Sequence, residues 1–249
     1  MFIFLLIPRR AKRNFLNMFK DTVRATPQRA ASEETRQQIL DAALALFRDK
    51  GFEPATIREI AQRAGVSLGA AYYYFDSKEA LVAAYYDYVQ HQHRDRARAA
   101  FAGASTLKQR LLAAYHSKLD VMEHDQRLLR ALFRFGGDPD HPLSWFGPAS
   151  HEQRRLSVEV FEEALAGEKL PEDVKAAAPT LLWTLHMGIL LYFLYDTSPS
   201  HRRTRKLIDA SVDFVIDAKR IATLPLMRPV RRRVMNVLYD AGLLSPATT

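Results

Sequence analysis

From residue 33 onward, apolar residues recur about every 3.6 positions, and no stretch of strict apolar–polar alternation stands out. This periodicity constrains the fold most, because it is the pattern of amphipathic helices and not of half-buried strands. The chain has only 10 glycines and 12 prolines among its 249 residues, which favours long helices over many short turns. The sequence therefore predicts an all-α protein.

The chain has no cysteine. Its absence excludes disulfides, cysteine-ligated zinc, iron–sulfur clusters and thiol catalysis. The eight histidines show no HExxH pattern, and the sequence has no glycine-rich phosphate loop and no nucleophile motif. We therefore predict no catalytic residues, no metal site and no cofactor, and we do not expect an enzyme.

Positive charge is concentrated at the N-terminus. The net charge is +8, and residues 1–31 carry seven Lys and Arg residues against Asp21 alone. A basic arm on a nearly neutral body suits an anionic partner, either nucleic acid or a membrane surface, although a solvated tail explains the charge equally well. We expect residues 1–31 to be a disordered extension, with translation starting at Met1 or at Met18.

Two apolar stretches are shorter than the ~20 residues that a membrane-spanning helix needs. Residues 1–7 are followed, not preceded, by basic residues, unlike a secretory signal. Residues 181–195 include Thr184, His186 and Gly188, so they are expected to form a buried core helix. The sequence predicts no membrane span and a cytoplasmic location.

Ten helices are predicted from the apolar stripes and their boundary residues. The first runs from an N-cap at Ser32 to about residue 50. Capping boxes at Thr56–Glu59 and Asp76–Glu79 start the second and the fourth, which extends to about residue 101. The other helices are expected at about 67–75, 107–122, 128–133, 156–165, 174–195, 207–216 and 228–241, with a loop at 136–148.

The second and third helices are short, and they meet at the tight turn Ala64-Gly65-Val66-Ser67. This arrangement is typical of a helix-turn-helix, whose second helix enters the major groove of DNA. Helical spacing turns Ala71 and Phe75 toward the core. The opposite face is predicted to carry Leu68, Gly69, Tyr72 and Tyr73. Tyrosine hydroxyls suit phosphate oxygens, and a glycine allows the helix to approach the bases closely.

Lys78 lies in the first turn of the fourth helix, where a positive charge opposes the helix dipole. A DNA phosphate at this place would be stabilised by both the lysine and the helix N-terminus. We therefore predict that Lys78 contacts the DNA backbone.

A dense series of residues runs from Arg36 to Leu81. It includes Gly51-Phe52, Thr56, Ile60-Ala61, Ala64-Gly65-Val66-Ser67, Gly69, a Tyr-x-x-Phe pattern at 72–75 and Ser77-Lys78-Glu79-Ala80-Leu81. This segment resembles the N-terminal DNA-binding domain of TetR-family transcriptional regulators. The resemblance implies an all-helical homodimer, with a three-helix DNA-binding domain and a larger, divergent C-terminal domain for ligand binding and dimerisation.

The resemblance also implies roles for single residues. It implies phosphate contacts from Thr56, Tyr73 and Lys78. It implies base-edge contacts from Arg58, Leu68, Gly69, Ala70 and Tyr72, and the predicted interface also includes Ser67 and Tyr74. Family members often have Lys at the position of Leu68, a hydroxyl residue at Ala70 and His at Tyr74. Because this helix has few hydrogen-bonding groups, we expect Arg58, thymine-methyl contacts and DNA shape to carry more of the specificity.

An aromatic-rich set of residues in the C-terminal half is a candidate effector pocket. The set consists of Trp145, Trp183, His186, Met187, Leu190, Tyr192 and Phe193. It suits an apolar or aromatic small molecule, with His186 or Tyr192 as a polar anchor. Ordinary core or dimer packing is the alternative interpretation of the same residues.

The predicted organisation has four parts: the extension 1–31, a DNA-binding domain 32–78, an effector-binding and dimerisation domain 79–225, and a basic C-terminal helix or tail 226–249. The eighth and ninth helices have the widest apolar stripes and are the predicted dimer interface. The protein is interpreted as a repressor that binds a palindromic operator and responds to an effector. A ligand-independent nucleoid-associated protein would lack a pocket, and a helical enzyme would need a perturbed acid–base pair inside one.

Overall fold

We describe residues 27–136, 138, 140–145 and 147–241 of a computed structural model of the protein. The structure is 82% helical, and its described residues form no strand, so the predicted all-α class is confirmed. The ten helices are α1 Pro27–Lys50, α2 Ile57–Ala64, α3 Leu68–Tyr74, α4 Lys78–Phe101, α5 Leu107–Met122, α6 Gln126–Gly136, α7 His151–Ala164, α8 Glu172–Tyr195, α9 Arg202–Ala222 and α10 Arg228–Asp240.

Helix α1 begins at Pro27, five residues before the predicted cap, so the expectation that Ser32 caps it is wrong. Proline suits a first helical position, and the Gln-Arg-Ala-Ala sequence that follows has high helix propensity. Residues 27–31 of the predicted extension are therefore helical, while residues 1–26 lie outside the described residues. Ser32 instead pairs its hydroxyl with that of Tyr74 at 3.2 Å.

Helices α2 and α3 begin and end as predicted. The side chain of Thr56 accepts a hydrogen bond from the Glu59 backbone, and the Glu59 side chain accepts one from the Thr56 backbone, which completes the capping box. Gly65 ends α2 at φ +69°, a left-handed conformation that favours glycine. The side chain of Ser67 then caps α3 by accepting from the backbone N–H of Ala70.

Helix α4 leaves the three-helix head and runs into the body. Its N-cap is Ser77, which accepts from the backbone N–H of Ala80, so the predicted cap at Asp76 is wrong by one residue. Asp76 instead accepts a hydrogen bond from the Ser77 hydroxyl. The buried residues Leu81, Ala84 and Tyr85 follow at helical spacing and join α4 to the common core.

The body consists of α5 to α10. Helices α4, α5, α7 and α8 pack against one another, α9 packs on α5 and α8, and α6 lies between α8 and the head. Helix α10 packs on α8 through a small cluster around Ala177 and Met235. Arg231 supports this contact by an ion pair to Asp173 at 3.1 Å.

Helix α8 is long and apolar enough, by length and composition alone, to cross a membrane. Its most apolar 18-residue window has a mean hydropathy of 1.5, and 44% of that window is buried inside the protein. The helix extends the predicted apolar stretch 181–195 back to Glu172. One such helix is weak support for a membrane span, because a core helix of a soluble protein has the same properties.

Candidate nucleic-acid interface and internal cavity

Helix α3 is held against its two predecessors by one apolar face. Ala71 and Phe75 are buried, as the spacing predicts, and the backbone N–H of Val66 donates to Ala61 O at 3.0 Å across the turn. The opposite face projects from the protein. Tyr72 is 51% exposed and Tyr73 is 82% exposed, so both phenol rings lie on the outer surface of this seven-residue helix.

The structure divides the predicted DNA-contact residues into two groups. The exposed group is Thr56, Arg58, Ser67, Gly69, Tyr72 and Tyr73. The partly buried group is Leu68, Ala70, Tyr74 and Lys78. Leu68 packs in part against the core, so the expectation that it projects fully outward is wrong. Tyr74 also packs on the core, and its hydroxyl is engaged with Ser32 of α1.

The exposed polar side chains differ in whether they already form hydrogen bonds or ion pairs within the described part of the protein. The Thr56 hydroxyl donates to a Glu59 carboxylate oxygen at 2.7 Å, so its hydrogen is committed to the cap. The hydroxyls of Tyr72 and Tyr73 make no hydrogen bond to any described residue, and Arg58 forms no ion pair within the described part of the chain. These three side chains are therefore the groups that are free to bind an external anion or base edge.

Lys78 has a structural role that the sequence analysis missed. Its Nζ donates to Phe52 O at 2.9 Å and to Glu53 O at 3.0 Å, and it lies 4.6 Å from the centre of the Phe52 ring. These contacts fasten the loop between α1 and α2 to the first turn of α4. An ammonium group has three N–H donors, so one is left for the predicted phosphate contact.

A cavity lies inside the body, between α4, α5, α7 and α8. Its internal volume is about 90 Å³, and it opens to the solvent. Five of the seven predicted pocket residues line it, namely Trp145, Trp183, His186, Met187 and Leu190. The further lining residues are Tyr85, Tyr86, Val89, Gln90, Lys118, Met122, Leu129, Ser150, Gln153, Arg154, Ser157 and Leu194.

Two predicted pocket residues, Tyr192 and Phe193, do not line this cavity. Successive residues of a helix point about 100° apart, so Tyr192 lies opposite the face of α8 that carries Met187, Leu190 and Leu194, whereas Phe193 shares the face of His186 two turns further along the helix. Tyr192 is 42% exposed on the outside of the body. Phe193 is fully buried and contacts the ring of His201, so it belongs to the core.

The cavity wall includes two basic groups whose pKa values are lowered by burial, which favours their uncharged forms. Lys118 is buried, and burial lowers its pKa to about 7. Burial and the nearby His93 and Lys118 also lower the pKa of His186 well below its ordinary value. Neither ring nitrogen of His186 has a hydrogen-bond partner among the described residues.

Comparison with known proteins decides the family. Residues 39–85 match "Bacterial regulatory proteins, tetR family", and residues 110–231 match "Tetracyclin repressor-like, C-terminal domain". The chain is 30% identical over 179 residues to the HTH-type transcriptional regulator BetI of Cronobacter sakazakii, which covers 70% of this chain and 86% of that protein. The chain belongs to the TetR family.

Other TetR-family relatives agree with this assignment. The HTH-type transcriptional regulator PksA of Bacillus subtilis is 27% identical over 175 residues, covering 68% of this chain and 83% of PksA. The crystal structure of a TetR transcriptional regulator from Nitrosomonas europaea superposes with a TM-score of 0.59 at 20% identity, covering 72% of this chain and 96% of that one. The helix-turn-helix head on a helical body is thus the shared fold.

Several cavity residues of this TetR-family protein escaped the sequence analysis, which named only residues from the loop and α8. Lys118 was missed although it lies three residues after Tyr115 and seven after Leu111, on the buried stripe of α5. That spacing was a usable signal, because a lysine on the apolar face of a helix is unusual. Tyr85 and Gln153, from α4 and α7, carried no comparable signal, since their approach depends on tertiary packing.

Three contacts connect the head of this TetR-family protein to its body. The Arg48 guanidinium of α1 lies 2.5 Å from the carboxylate of Asp125, which also accepts a hydrogen bond from the hydroxyl of Tyr85 at 2.9 Å. Arg134 of α6 forms an ion pair with Glu53. The rings of Phe52 and Phe135 meet edge to face at 6.0 Å. Since Tyr85 also lines the cavity, one side chain touches both the cavity and the head contact.

Proposed function

We propose that this TetR-family transcriptional regulator is a cytoplasmic repressor that binds a palindromic operator as a homodimer and responds to a small apolar or aromatic effector. The observation that carries the proposal is the outer surface of the head, where Tyr72 and Tyr73 of α3 are exposed and Arg58 of α2 is exposed without an ion pair to a described residue. Tyr72, Tyr73 and Arg58 have the chemistry for phosphate, sugar and base-edge contacts.

The proposed dimer uses the outer faces of α8 and α9. These helices leave a set of large apolar side chains exposed: Leu181, Leu191, Tyr192, Tyr195, Leu207, Phe214 and Ile221. Phe214 is 73% exposed and Tyr195 is 69% exposed. Because α8 and α9 pack against each other, these exposed apolar side chains suit an interaction surface, and a second copy of the chain would cover it symmetrically. Two recognition helices about 34 Å apart would then read the two halves of a palindrome.

The proposed response to an effector rests on the cavity and its position. The cavity has an internal volume of about 90 Å³ and is lined mainly by apolar and aromatic side chains with a few polar groups among them, which is the usual composition of a small-molecule site. Tyr85 lines the cavity, and its hydroxyl donates a hydrogen bond to Asp125, the residue that pairs with Arg48 of the head. An effector that fits only one arrangement of these residues would change the population of heads set at the operator spacing.

The two alternatives receive less support. A ligand-independent nucleoid-associated protein has no need of a cavity, whereas this body contains one. An enzyme would need an acid and a base that both exchange protons near neutral pH. The described cavity wall has no carboxylate, and burial raises the pKa of its tyrosines Tyr85 and Tyr86, which keeps them protonated. The relatives are transcriptional regulators, in agreement with the proposal.

The proposed DNA contact is tested by selecting bound duplexes from a random pool at 100 mM salt and then comparing Gly69→Ala with Gly103→Ala. A Cβ at Gly69 would meet only Ser67 Oγ, at 4.0 Å, so the fold should tolerate it. If α3 approaches the bases closely, the added methyl group should weaken binding to the selected DNA by ~10-fold, a loss of ~1.4 kcal/mol.

The control, Gly103→Ala, lies in the turn after α4, where a new Cβ would make an ordinary contact with Ala100 O at 3.9 Å. It should leave both stability and DNA affinity unchanged. Recovery of a palindrome together with a selective loss in Gly69→Ala supports the proposal. Failure to enrich any palindrome, or equal affinity of the two variants, would overturn it.

A further inference from the structure

The cavity contains a buried lysine amine that has no carboxylate partner among the described residues. Lys118 is 4% exposed, and its Nζ donates to the amide oxygen of Gln90 at 2.9 Å. No described carboxylate lies within ion-pair distance of this nitrogen, and none of the seventeen residues that line the cavity is an Asp or a Glu. By contrast, the buried carboxylate of Asp125 pairs with Arg48 at 2.5 Å.

The same cavity presents further polar atoms without partners. Both ring nitrogens of His186 and the Oε1 atom of Gln153 are buried and make no hydrogen bond to a described residue. Arg154 is a second cation at the wall, and its Nη1 donates to Trp145 O at 2.8 Å. Buried polar groups of a folded protein are normally satisfied, so these atoms indicate that a ligand with hydrogen-bonding groups occupies the space.

The rest of the wall is mainly apolar and aromatic, with Ser150 and Ser157 as further polar residues. Its apolar and aromatic members are Tyr85, Tyr86, Val89, Met122, Leu129, Trp145, Trp183, Met187, Leu190 and Leu194. Such a wall favours a hydrophobic body, while Lys118 favours a negative charge, and two of its three N–H donors are not used by Gln90. A cationic ligand would be repelled by Lys118 and Arg154 and would find no carboxylate at the wall.

We propose that the effector of this protein is an amphiphilic anion, with an aromatic or aliphatic body in the apolar part of the cavity and one carboxylate or sulfonate group bound by Lys118. This inference rests on the proposed effector-binding function and names the chemical class of the effector. It explains why an ammonium group is kept in the interior, where an empty cavity leaves it desolvated and destabilising. The anion would supply the counter-ion that the protein itself does not.

Two fluorescent probes with the same rings test this inference. 1-Anilinonaphthalene-8-sulfonate carries a negative charge, and N-phenyl-1-naphthylamine is its neutral counterpart. Titrations of each probe use the full-length protein at pH 7. Lys118→Met keeps the length and apolar stem of the side chain without its charge, Lys118→Arg keeps the charge, and Met187→Trp fills the cavity from its wall.

We expect the wild-type protein to bind the sulfonate in the cavity, with ~10- to 100-fold weaker binding in Lys118→Met, because a charge-assisted hydrogen bond in a buried site has that effect. Lys118→Arg should retain a large part of the affinity. The neutral probe should bind wild type and Lys118→Met about equally, which separates recognition of the charge from damage to the cavity. Met187→Trp should weaken both probes, and this difference isolates the cavity from the exposed apolar faces of α8 and α9.

The outcomes separate this inference from the proposal on which it rests. If both probes bind the cavity and Lys118→Met leaves the sulfonate affinity unchanged, the anion assignment is wrong while the effector cavity stands. The same conclusion follows if wild type prefers the neutral probe. If Met187→Trp changes the binding of neither probe, the cavity is not a binding site, and the proposed effector response fails with it.

Discussion

The contact between Arg48 and Asp125 joins the DNA-binding head to the body. The variant Asp125→Asn tests how much this contact contributes to the free energy of unfolding. Asp125 is 3% exposed and its carboxylate serves two partners, the Arg48 guanidinium at 2.5 Å and the Tyr85 hydroxyl at 2.9 Å. Asparagine has the same shape but one acceptor oxygen and one NH₂ group. It is therefore able to satisfy either Arg48 or Tyr85 from its oxygen, but not both.

The expected loss follows from the two contacts. The side chain of Arg48 is 43% exposed, so water compensates much of the lost ion pair, which we set at ~0.5–1 kcal/mol. The buried hydrogen bond from Tyr85 to a charged acceptor is worth ~1.5–3 kcal/mol, and about half of it should be lost with a neutral acceptor. The free energy of unfolding should fall by ~2 kcal/mol, which corresponds to a decrease in Tm of ~4–8 °C for a chain of this size.

The assay is urea unfolding followed by far-UV circular dichroism, with Asp120→Asn as the matched control. Asp120 lies on α5 and pairs with Arg205 at 2.8 Å, but its side chain is 45% exposed. The same chemical change there should lower stability by less than ~1 kcal/mol. If Asp125→Asn is no more destabilising than Asp120→Asn, then the buried carboxylate does not hold the head to the body, and the proposed route from the cavity to the head loses its central contact.

Three further predictions concern Lys118, Gly65 and the N-terminal arm. Burial lowers the pKa of Lys118 to about 7 in the folded protein, against an ordinary value of 10.5, and the groups around it are His93, Arg154 and His186. Between these two pH values the unfolded state binds one proton more than the folded state. The free energy of unfolding should therefore rise with pH from about 7 to 10.5. The difference in the free energy of unfolding between wild type and Lys118→Met should change by ~1.4 kcal/mol per pH unit in this range, and Lys118→Met should be most stable relative to wild type below pH 7. Parallel stability profiles of the two proteins would contradict this. Gly65→Ala should lower the free energy of unfolding by ~1 kcal/mol through its φ of +69° alone, because a Cβ there meets no atom within 4 Å, and an unchanged urea midpoint would count against it. Deletion of residues 1–26 should flatten the salt dependence of DNA affinity if the basic arm contacts phosphates, and an unchanged slope of log Kd against log salt concentration would refute that role.

Local sequence signals were sufficient to predict the head. Its capping residues Thr56 and Ser67, the left-handed Gly65 and the buried Ala71 depend only on neighbours within one or two turns, and each of them has the predicted conformation or burial. Where two caps compete, local reasoning is less accurate. Ser77 caps α4 in place of the adjacent Asp76, and the propensity of the residues before Ser32 extends α1 beyond its predicted start.

The cavity was less predictable, because residues from five helical segments and a loop meet there. All the predicted pocket residues were chosen because they form an aromatic-rich set, and Trp183, His186, Met187 and Leu190 of α8 do line the cavity. Composition alone did not show that the helical phase turns Tyr192 outward, or that Phe193 packs in the core against His201. The role of Lys78 likewise depends on a loop 25 residues earlier in the chain, which no local pattern reveals.

The clamp that Lys78 makes with the carbonyls of Phe52 and Glu53 has a mechanical consequence. It fixes the three-helix head to one end of α4, so that the head and this 24-residue helix turn as a single lever. Such a helix is ~36 Å long, and a tilt of about 5° at its far end would carry the tyrosine face of α3 through ~3 Å. In a symmetric dimer the two displacements add. A rotation too small to disturb the core would therefore change the distance between the two α3 helices, so that it no longer matches one turn of the DNA double helix.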